Sequence, residues 1–96
     1  MIRVAFMGRK RQAAQALNWA ATRPDLLVVA ALTDSHIEGS PTAEVAEAHG
    51  IPMYMYDEAE AAIAAGELNF DLGISLGYWR VVRPTMLNVP KLGIIN

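Results

Sequence analysis

Two short basic segments hold the side chains of this sequence that are best suited to bind a ligand. They are Gly8-Arg9-Lys10-Arg11 and Gly77-Tyr78-Trp79-Arg80. Cationic side chains that follow a glycine turn can bind phosphate or carboxylate groups. An ordinary solvated basic turn has the same composition, so the two segments indicate an anion site only if the fold brings them together.

The charges are segregated along the chain, although the net charge is only −2. Residues 1–24 carry five basic groups and no acid, whereas residues 25–71 carry all ten acids and no Lys or Arg. Residues 72–96 carry the other three basic groups. Chance alone can produce this order in a short chain, so its meaning depends on the elements that position the two basic parts.

Apolar strands that alternate with Ala-rich helices provide that positioning. The sequence predicts strands at Ile2–Met7, Leu27–Leu32, Met53–Tyr56, Phe70–Leu76 and Leu92–Asn96. It predicts helices at Gln12–Thr22, from Pro41 to Gly50 with Ser40 as N-cap, and from an Asp57 cap to Ala65, with a helical turn at Thr85–Leu87. This alternation predicts an α/β fold, a doubly wound and mostly parallel five-stranded Rossmann-like sheet with strand order 3-2-1-4-5.

The predicted topology brings the two basic segments to one crevice. Ligands bind beyond the carboxyl ends of parallel strands, at the point where the winding of the sheet reverses. With the predicted order, that point lies between strands 1 and 4, where Gly8–Arg11 and Gly77–Arg80 should meet. The first segment also precedes a helix N-terminus, which favours anions. We therefore expect a phosphate or carboxylate ligand there.

Other candidate residues indicate less. Gly8 is the single glycine of the first turn, where a dinucleotide fingerprint requires three, so Asp34 after strand 2 is weak evidence for NAD. His36 and His49 lack the neighbouring ligands of a metal site and are expected to be structural or solvated. Trp19, on an Ala-rich helix, is expected to be a packing residue.

The composition excludes several classes of protein. An apolar share of 53% is sufficient for one folded domain. The chain has no cysteine, which excludes disulfides and thiolate metal sites, and no apolar run of about 20 residues, so no membrane association is expected. A nucleic-acid partner is not expected, because the pI is about 5.5. A cytoplasmic location is the default expectation.

Three segments, spread over nearly the whole chain, occur in an order and spacing typical of one family. They are Ile2–Gly8, Ala46–Pro52, and Asp71–Val82 followed by Leu87, Pro90 and Leu92–Asn96. Together they resemble the amino-terminal part of the folate-dependent formyltransferases, which include the methionyl-tRNA, glycinamide ribonucleotide and sugar N-formyltransferases. The resemblance implies a truncated formyltransferase fold, with residues 1–96 as the amino-terminal half of such a domain.

The same resemblance implies transfer of a formyl group from 10-formyltetrahydrofolate to an amine. Asn96 matches the asparagine of the family's Asn-His-Asp catalytic set and would donate its side-chain N–H₂ to the formyl oxygen as that oxygen becomes negative. The residues that match the loop holding the pterin ring are Tyr78, Trp79, Arg80, Val81 and Val82. The family's histidine and aspartate have no counterparts here, so a fragment that is inactive by itself is expected.

The first loop departs from the family, whose members have small residues there. Gly8, Arg9, Lys10 and Arg11 are therefore expected to bind an anion or substrate, and the acceptor amine stays open. The expected partner of the full-length protein is a small-molecule amine. The apolar Leu92–Ile95 segment predicts self-association through the carboxy-terminal edge of the sheet. The alternative function is a non-catalytic anion- or nucleotide-binding α/β module.

Overall fold

The structure, a computed structural model, describes residues 1–8, 10–33, 39–76, 78 and 82–95. Five parallel strands form one sheet in the order β3-β2-β1-β4-β5. The strands are β1 (Ile2–Met7), β2 (Leu26–Thr33), β3 (Met53–Met55), β4 (Leu72–Ser75) and β5 (Ile94–Ile95). The helices are α1 (Arg11–Thr22), α2 (Pro41–Ala48), α3 (Tyr56–Ala64) and α4 (Pro84–Leu87). The predicted α/β class and strand order are confirmed.

Helices cover both faces of the sheet, because the central strands are apolar on both sides. In β1, Val4 and Phe6 pack against α1 and α2. Ala5 and Met7 face the opposite layer, which contains α3 and α4. All four of these side chains are fully buried. A continuous apolar strand is stable only between two such layers, and this arrangement leaves its carboxyl end as the open edge where loops can meet.

Helix α1 follows from a run of good helix formers with apolar residues three and four positions apart. Ala13, Leu17 and Ala20 form its buried stripe. The helix ends at Thr22, since Pro24 disfavours helical geometry at the preceding Arg23, which is extended (φ −77°, ψ 129°). Trp19 lies on the opposite side of the helix and is 57% exposed, so the expectation that it packs was wrong. The Arg23 guanidinium lies 5.3 Å from the centre of its ring.

The start of α3 differs from the prediction. Tyr56 was predicted to end a strand, with Asp57 as the helix cap, but Tyr56 is the first residue of α3 and Met55 is its N-cap. The Glu58 carboxylate accepts a hydrogen bond from the Met55 backbone N–H at 2.8 Å, which satisfies one of the free donors at this helix end. Asp57 lies in the first turn instead, where its negative charge is favourable.

The last two strands are shorter than predicted. Phe70 and Asp71 precede β4, although Phe70 is buried in the core. Gly93 has a φ of +83°, a turn conformation that interrupts the predicted Leu92–Asn96 strand, so β5 begins at Ile94. Leu92 is therefore 53% exposed rather than covered by a helix layer.

Candidate functional site

The candidate site lies at the carboxyl ends of β1 and β4, the two strands between which the winding of the sheet reverses. The backbone N–H of Leu76 donates to the carbonyl of Met7 at 2.9 Å, and that of Gly8 donates to the carbonyl of Leu32 at 3.0 Å. The segments that follow β1 and β4 therefore start side by side. The structure thus places the beginnings of the two predicted ligand-binding segments at one edge of the sheet.

Gly8 is required by close packing. A Cβ atom at this position would lie 2.5 Å from the carbonyl oxygen of Leu76 and 2.6 Å from the Cβ of Ala13. Both distances are shorter than any ordinary van der Waals contact. The absence of a side chain at Gly8 therefore lets the end of β1 contact both the end of β4 and helix α1.

Helix α1 directs its N-terminus to the same edge. Lys10 is the N-cap residue, but its side chain forms no capping hydrogen bond, and the first turn contains no acidic residue. The N-terminal N–H groups and the partial positive charge of the helix are therefore not neutralised by an acidic residue or a side-chain cap in that turn. A negatively charged ligand group would be stabilised at this position.

The side chains of Lys10 and Arg11 add positive charge to this helix end. Both residues are exposed, and neither forms an ion pair in the described part of the chain. The other described cations that follow the first segment, Arg23, Arg83 and Lys91, each lie within 4 Å of a carboxylate. Lys10 and Arg11 can therefore contact a ligand anion without first breaking a bond within the protein.

Two of the five residues predicted to hold a pterin ring are described, and both pack inward. Tyr78 and Val82 contact the core cluster that contains Tyr56, Phe70 and Met86. The ring centres of Tyr78 and Tyr56 are 6.4 Å apart, with a tilt of 31° between the planes. These contacts bring both described ends of the Tyr78–Val82 segment to the α3 side of the sheet.

The structure adds one residue that the sequence did not indicate. Arg83 donates its backbone N–H to the Tyr56 hydroxyl oxygen at 2.7 Å. Its guanidinium donates to Asp57 Oδ1 at 3.0 Å and to Glu60 Oε2 at 3.1 Å, and lies 5.0 Å from the centre of the Tyr56 ring. The aromatic residue and the two acids at Tyr56, Asp57 and Glu60 were a visible signal, but pairing them with Arg83 required the tertiary structure.

Four further predicted site residues lie outside the described part of the chain. They are Trp79, Arg80, Val81 and the catalytic candidate Asn96, and Arg9 of the first segment is a fifth. The neighbour of Asn96 is described, however. Ile95 in β5 pairs with Ile74 in β4, so the chain reaches the strand beside the candidate site immediately before Asn96.

The described residues also form a cavity and a histidine contact that lie away from the candidate site. A cavity of about 110 Å³ is lined by residues of α1, β2 and the end of α2, including Leu26 and His49, at the opposite edge of the sheet. His49 lies within 2.8 Å of Asn18 Oδ1 and is the C-cap of α2. Within the described ranges, no three His, Cys, Asp or Glu residues form a metal-binding group, and no helix is long and apolar enough to cross a membrane.

Comparison with known proteins adds sequence relatives. No family model matches the sequence. The chain is 32% identical over 105 aligned positions to a methionyl-tRNA formyltransferase of Magnetococcus marinus, a match that covers 98% of this chain and 33% of that protein. A methionyl-tRNA formyltransferase of a Synechococcus strain is 35% identical over 60 positions, covering 58% and 19%. The chain therefore spans about a third, or less, of the length of these curated relatives.

Solved structures share the fold. A phosphoribosylglycinamide formyltransferase from Bacillus halodurans superimposes with a TM-score of 0.69 at 24% identity, over 96% of this chain and 53% of that one. The enzyme of the same name from Streptococcus pneumoniae gives a TM-score of 0.66 at 20% identity, over 98% and 54%. About half of each neighbour therefore corresponds to the five-stranded sheet and its helices.

Proposed function

We infer that this chain, whose sequence relatives and fold support its assignment to the amino-terminal part of the formyltransferase family, contributes the binding site for a folate-type formyl donor. The observation that carries the proposal is the hydrogen bond from the Leu76 backbone N–H to the Met7 carbonyl. It brings the chain that leads into Tyr78–Val82 beside the chain that leads into Gly8–Arg11. In a parallel sheet this edge is the expected ligand position.

The residues present fit such a donor. The pterin ring is planar and hydrogen-bonds along its edge, so a short segment that offers backbone donors and acceptors suits it. Tyr78, Trp79, Arg80, Val81 and Val82 would hold it, with Arg80 near its anionic tail. When bound, 10-formyltetrahydrofolate supplies the formyl group that an amine attacks. Asn96, at the end of the chain segment that pairs with β4, would donate a hydrogen bond to the formyl oxygen.

The acceptor is proposed to be an amine that carries an anionic group. Gly8, Arg9, Lys10 and Arg11 would bind that group, because Lys10 and Arg11 are exposed cations at the N-terminus of α1 that form no ion pair among the described residues. The names of the relatives and neighbours, methionyl-tRNA and phosphoribosylglycinamide formyltransferases, refer to phosphate-bearing molecules, which is consistent with this class of acceptor. A cytoplasmic role in one-carbon metabolism is part of the same proposal.

The 96-residue chain alone is expected to bind ligands without turnover. Asn96 is the one residue of the family's Asn-His-Asp set that the resemblance assigns within it. Without a histidine that can accept the proton of the attacking amine, the hydrogen bond from Asn96 cannot complete the reaction. Turnover with 10-formyltetrahydrofolate and an amine, abolished in Asn96→Ala, would contradict this statement.

Titration of the chain with 5-formyltetrahydrofolate and, separately, with inorganic phosphate tests the proposal. We expect heat of binding with the folate that persists in a Lys10→Met/Arg11→Met variant, and phosphate binding that is weakened in that variant and by added salt. Lys91→Met, which removes a cation close to Asp71, is the matched control and should change neither. Absence of folate binding at millimolar concentration would contradict the donor site.

A second candidate function is a non-catalytic anion- or nucleotide-binding module. The free positive charge at the N-terminus of α1 favours it, since anion binding there needs no catalytic residue. The two functions differ in the folate titration. Phosphate or nucleotide binding that depends on Lys10 and Arg11, without folate binding, would support the module.

A further inference from the structure

We propose that Tyr56 and Arg83 are positioning residues that hold Tyr78 and Val82, the described ends of the Tyr78–Val82 segment, and thereby determine the affinity for the folate donor. The inference rests on the proposed function, because it concerns the same segment. Neither residue is proposed to contact the donor. Both act through the backbone that follows β4.

The first element of this arrangement is a buried hydroxyl that accepts a backbone hydrogen bond. Tyr56, the first residue of α3, is fully buried. Its hydroxyl oxygen accepts the backbone N–H of Arg83 at 2.7 Å across a separation of 27 residues. Burial raises the pKa of Tyr56, so the hydroxyl stays protonated and the geometry of this bond is independent of pH in the ordinary range. The main chain at Arg83 is thereby fixed to the start of α3.

The second element is the Arg83 side chain, which returns to the same helix. Its guanidinium pairs with Asp57 and Glu60, both on α3, and covers the Tyr56 ring at 5.0 Å. The hydrogen bonds that Arg83 donates to the Glu60 carboxylate raise the pKa of Arg83, so its charge is permanent. Arg83 is therefore attached to α3 by both its backbone and its side chain, and α3 carries acids at the required positions one turn apart.

The third element is the contact that Tyr78 and Val82 make with Tyr56 and its core neighbours. The Tyr78 ring centre lies 6.4 Å from that of Tyr56, and Val82 packs against the core that includes Tyr56. On its other side, the carbonyl of Arg83 accepts the N–H groups of Met86 and Leu87 and so begins α4. The segment is thus held at Tyr78 and at Val82–Arg83, and Tyr56 contacts both positions.

A matched arginine, Arg23, lies away from the Tyr78–Val82 segment and serves as the control. Arg23 lies 5.3 Å from the Trp19 ring centre and pairs with Asp25 at 3.2 Å, so it has the same kind of aromatic and acidic partners as Arg83. It follows α1 at the opposite edge of the sheet. Removal of either guanidinium should change the surface charge by the same amount, whereas only the removal of the Arg83 guanidinium should weaken folate binding.

The experiment compares Tyr56→Phe, Arg83→Met and the control Arg23→Met with the wild-type chain. Isothermal titration with 5-formyltetrahydrofolate, well below each melting temperature, measures Kd. We expect Kd to rise about tenfold in Tyr56→Phe and in Arg83→Met, the effect of one hydrogen bond or ion pair that orders the segment, and to stay unchanged in Arg23→Met. Hydrogen exchange should be faster at the amides of Tyr78, Val82 and Arg83 in both variants, and not in the control.

The outcomes separate this inference from the proposed function. Wild-type folate binding that both variants retain, with unchanged exchange at Val82 and Arg83, would overturn the positioning role and leave the donor site intact. No folate binding by the wild type would overturn the donor site. In that case the positioning role is tested by hydrogen exchange alone: faster exchange at Tyr78, Val82 and Arg83 in the variants supports it, and unchanged exchange overturns it. If Tyr56→Phe does not fold, Arg83→Met, at a half-exposed side chain, provides both measurements.

Discussion

The Asp71 carboxylate accepts hydrogen bonds from both the backbone and the guanidinium of Arg3, at 3.0 Å from the backbone N–H and 3.2 Å from Nη2. Asp71 also donates its own backbone N–H to the carbonyl of Arg3 at 2.8 Å. The start of β4 is thereby joined to the start of β1, at the edge of the sheet opposite to the candidate site. This pair lies directly before Val4 and Leu72, the first register pair of the two strands between which the candidate site lies.

The Asp71 pair predicts that stability falls in acid. The backbone N–H of Arg3, and then its guanidinium, hold the pKa of Asp71 below its usual value of 3.8. Because the folded-state pKa is the lower one, the carboxylate stabilises the fold fully above the unfolded-state value, and this contribution is lost as pH falls through the folded-state pKa. Urea unfolding at pH 7 and below pH 3.8 should show a larger acid-induced loss for the wild type than for Asp71→Asn. Glu67→Gln, at an exposed position, is the control, and equal losses in Asp71→Asn and the wild type would contradict the prediction.

Substitution of Gly8 should destabilise the site edge. In Gly8→Ala the new methyl group would overlap the carbonyl of Leu76 and the side chain of Ala13, so the ends of β1, β4 and α1 must separate. We expect a loss of about 1–3 kcal/mol, the usual cost of overpacking, measured by urea unfolding. Gly73→Ala is the comparison, because its nearest contact at 2.8 Å is with the Ile94 side chain, which can move more easily than a backbone carbonyl. A loss at Gly73 that equals or exceeds the loss at Gly8 would contradict this explanation.

Thr33→Val should stabilise the protein. Thr33 ends β2, is fully buried, and its Oγ1 forms no hydrogen bond in the structure's described part. Replacement of that hydroxyl by a methyl group of similar size removes an unsatisfied polar atom, for an expected gain of about 1 kcal/mol. Thr22→Val is the control, since Thr22 donates to the Trp19 carbonyl at 2.8 Å in an exposed position. A lower melting temperature for Thr33→Val would mean that the hydroxyl has a function.

The β5 edge is proposed to mediate self-association with a second copy of the chain. Of the described strands, β5 pairs with β4 alone, and Leu92 and Ile95 beside it are 53% and 54% exposed. An open strand edge with exposed apolar side chains can pair with another chain. Sedimentation of the wild type should depend on concentration in the micromolar range. Ile95→Lys should reduce this dependence, whereas Leu27→Lys, at a residue 48% exposed but distant from β5, should not. A wild type that remains monomeric would refute the proposal.

Periodicity and breakers were sufficient to predict the layers of this fold. The nearly continuous apolar run of β1, the helix stop before Pro24, and Pro41 at the start of α2 are local signals, and the structure has all three. The doubly wound order follows from the alternation of elements. Local patterns failed where a competing contact decided the outcome, as at Tyr56, where the Glu58 carboxylate caps Met55 and the helix starts two residues earlier than an Asp57 cap allows.

The sequence predicted which segments start at the candidate edge of the sheet, but not the residues that hold them there. The sequence indicated Gly8–Arg11 and Tyr78–Val82, and the structure confirms that their described parts begin at one edge of the sheet. The dependence of that edge on Tyr56 and Arg83 was not predictable, because their hydrogen bond joins positions 27 residues apart and its acceptor is a hydroxyl in the core. Trp19 was misassigned for a different reason, because the smaller residues Ala13, Leu17 and Ala20 occupy the buried side of α1 and leave Trp19 on the exposed side.

Most of the buried positions in α1, α2 and α3 are alanine. Ala13, Ala20 and Ala46 on one face, and Ala59 and Ala62 on the other, let the helix axes lie close to the strands. The distance from α1 to the sheet therefore also sets how far Lys10 and Arg11 stand from the end of β4. A larger residue at a buried position such as Ala20 would tilt or lift the whole helix and widen the ligand crevice without altering any residue in it. The width of the candidate crevice can therefore be adjusted from within the core, through spacing alone.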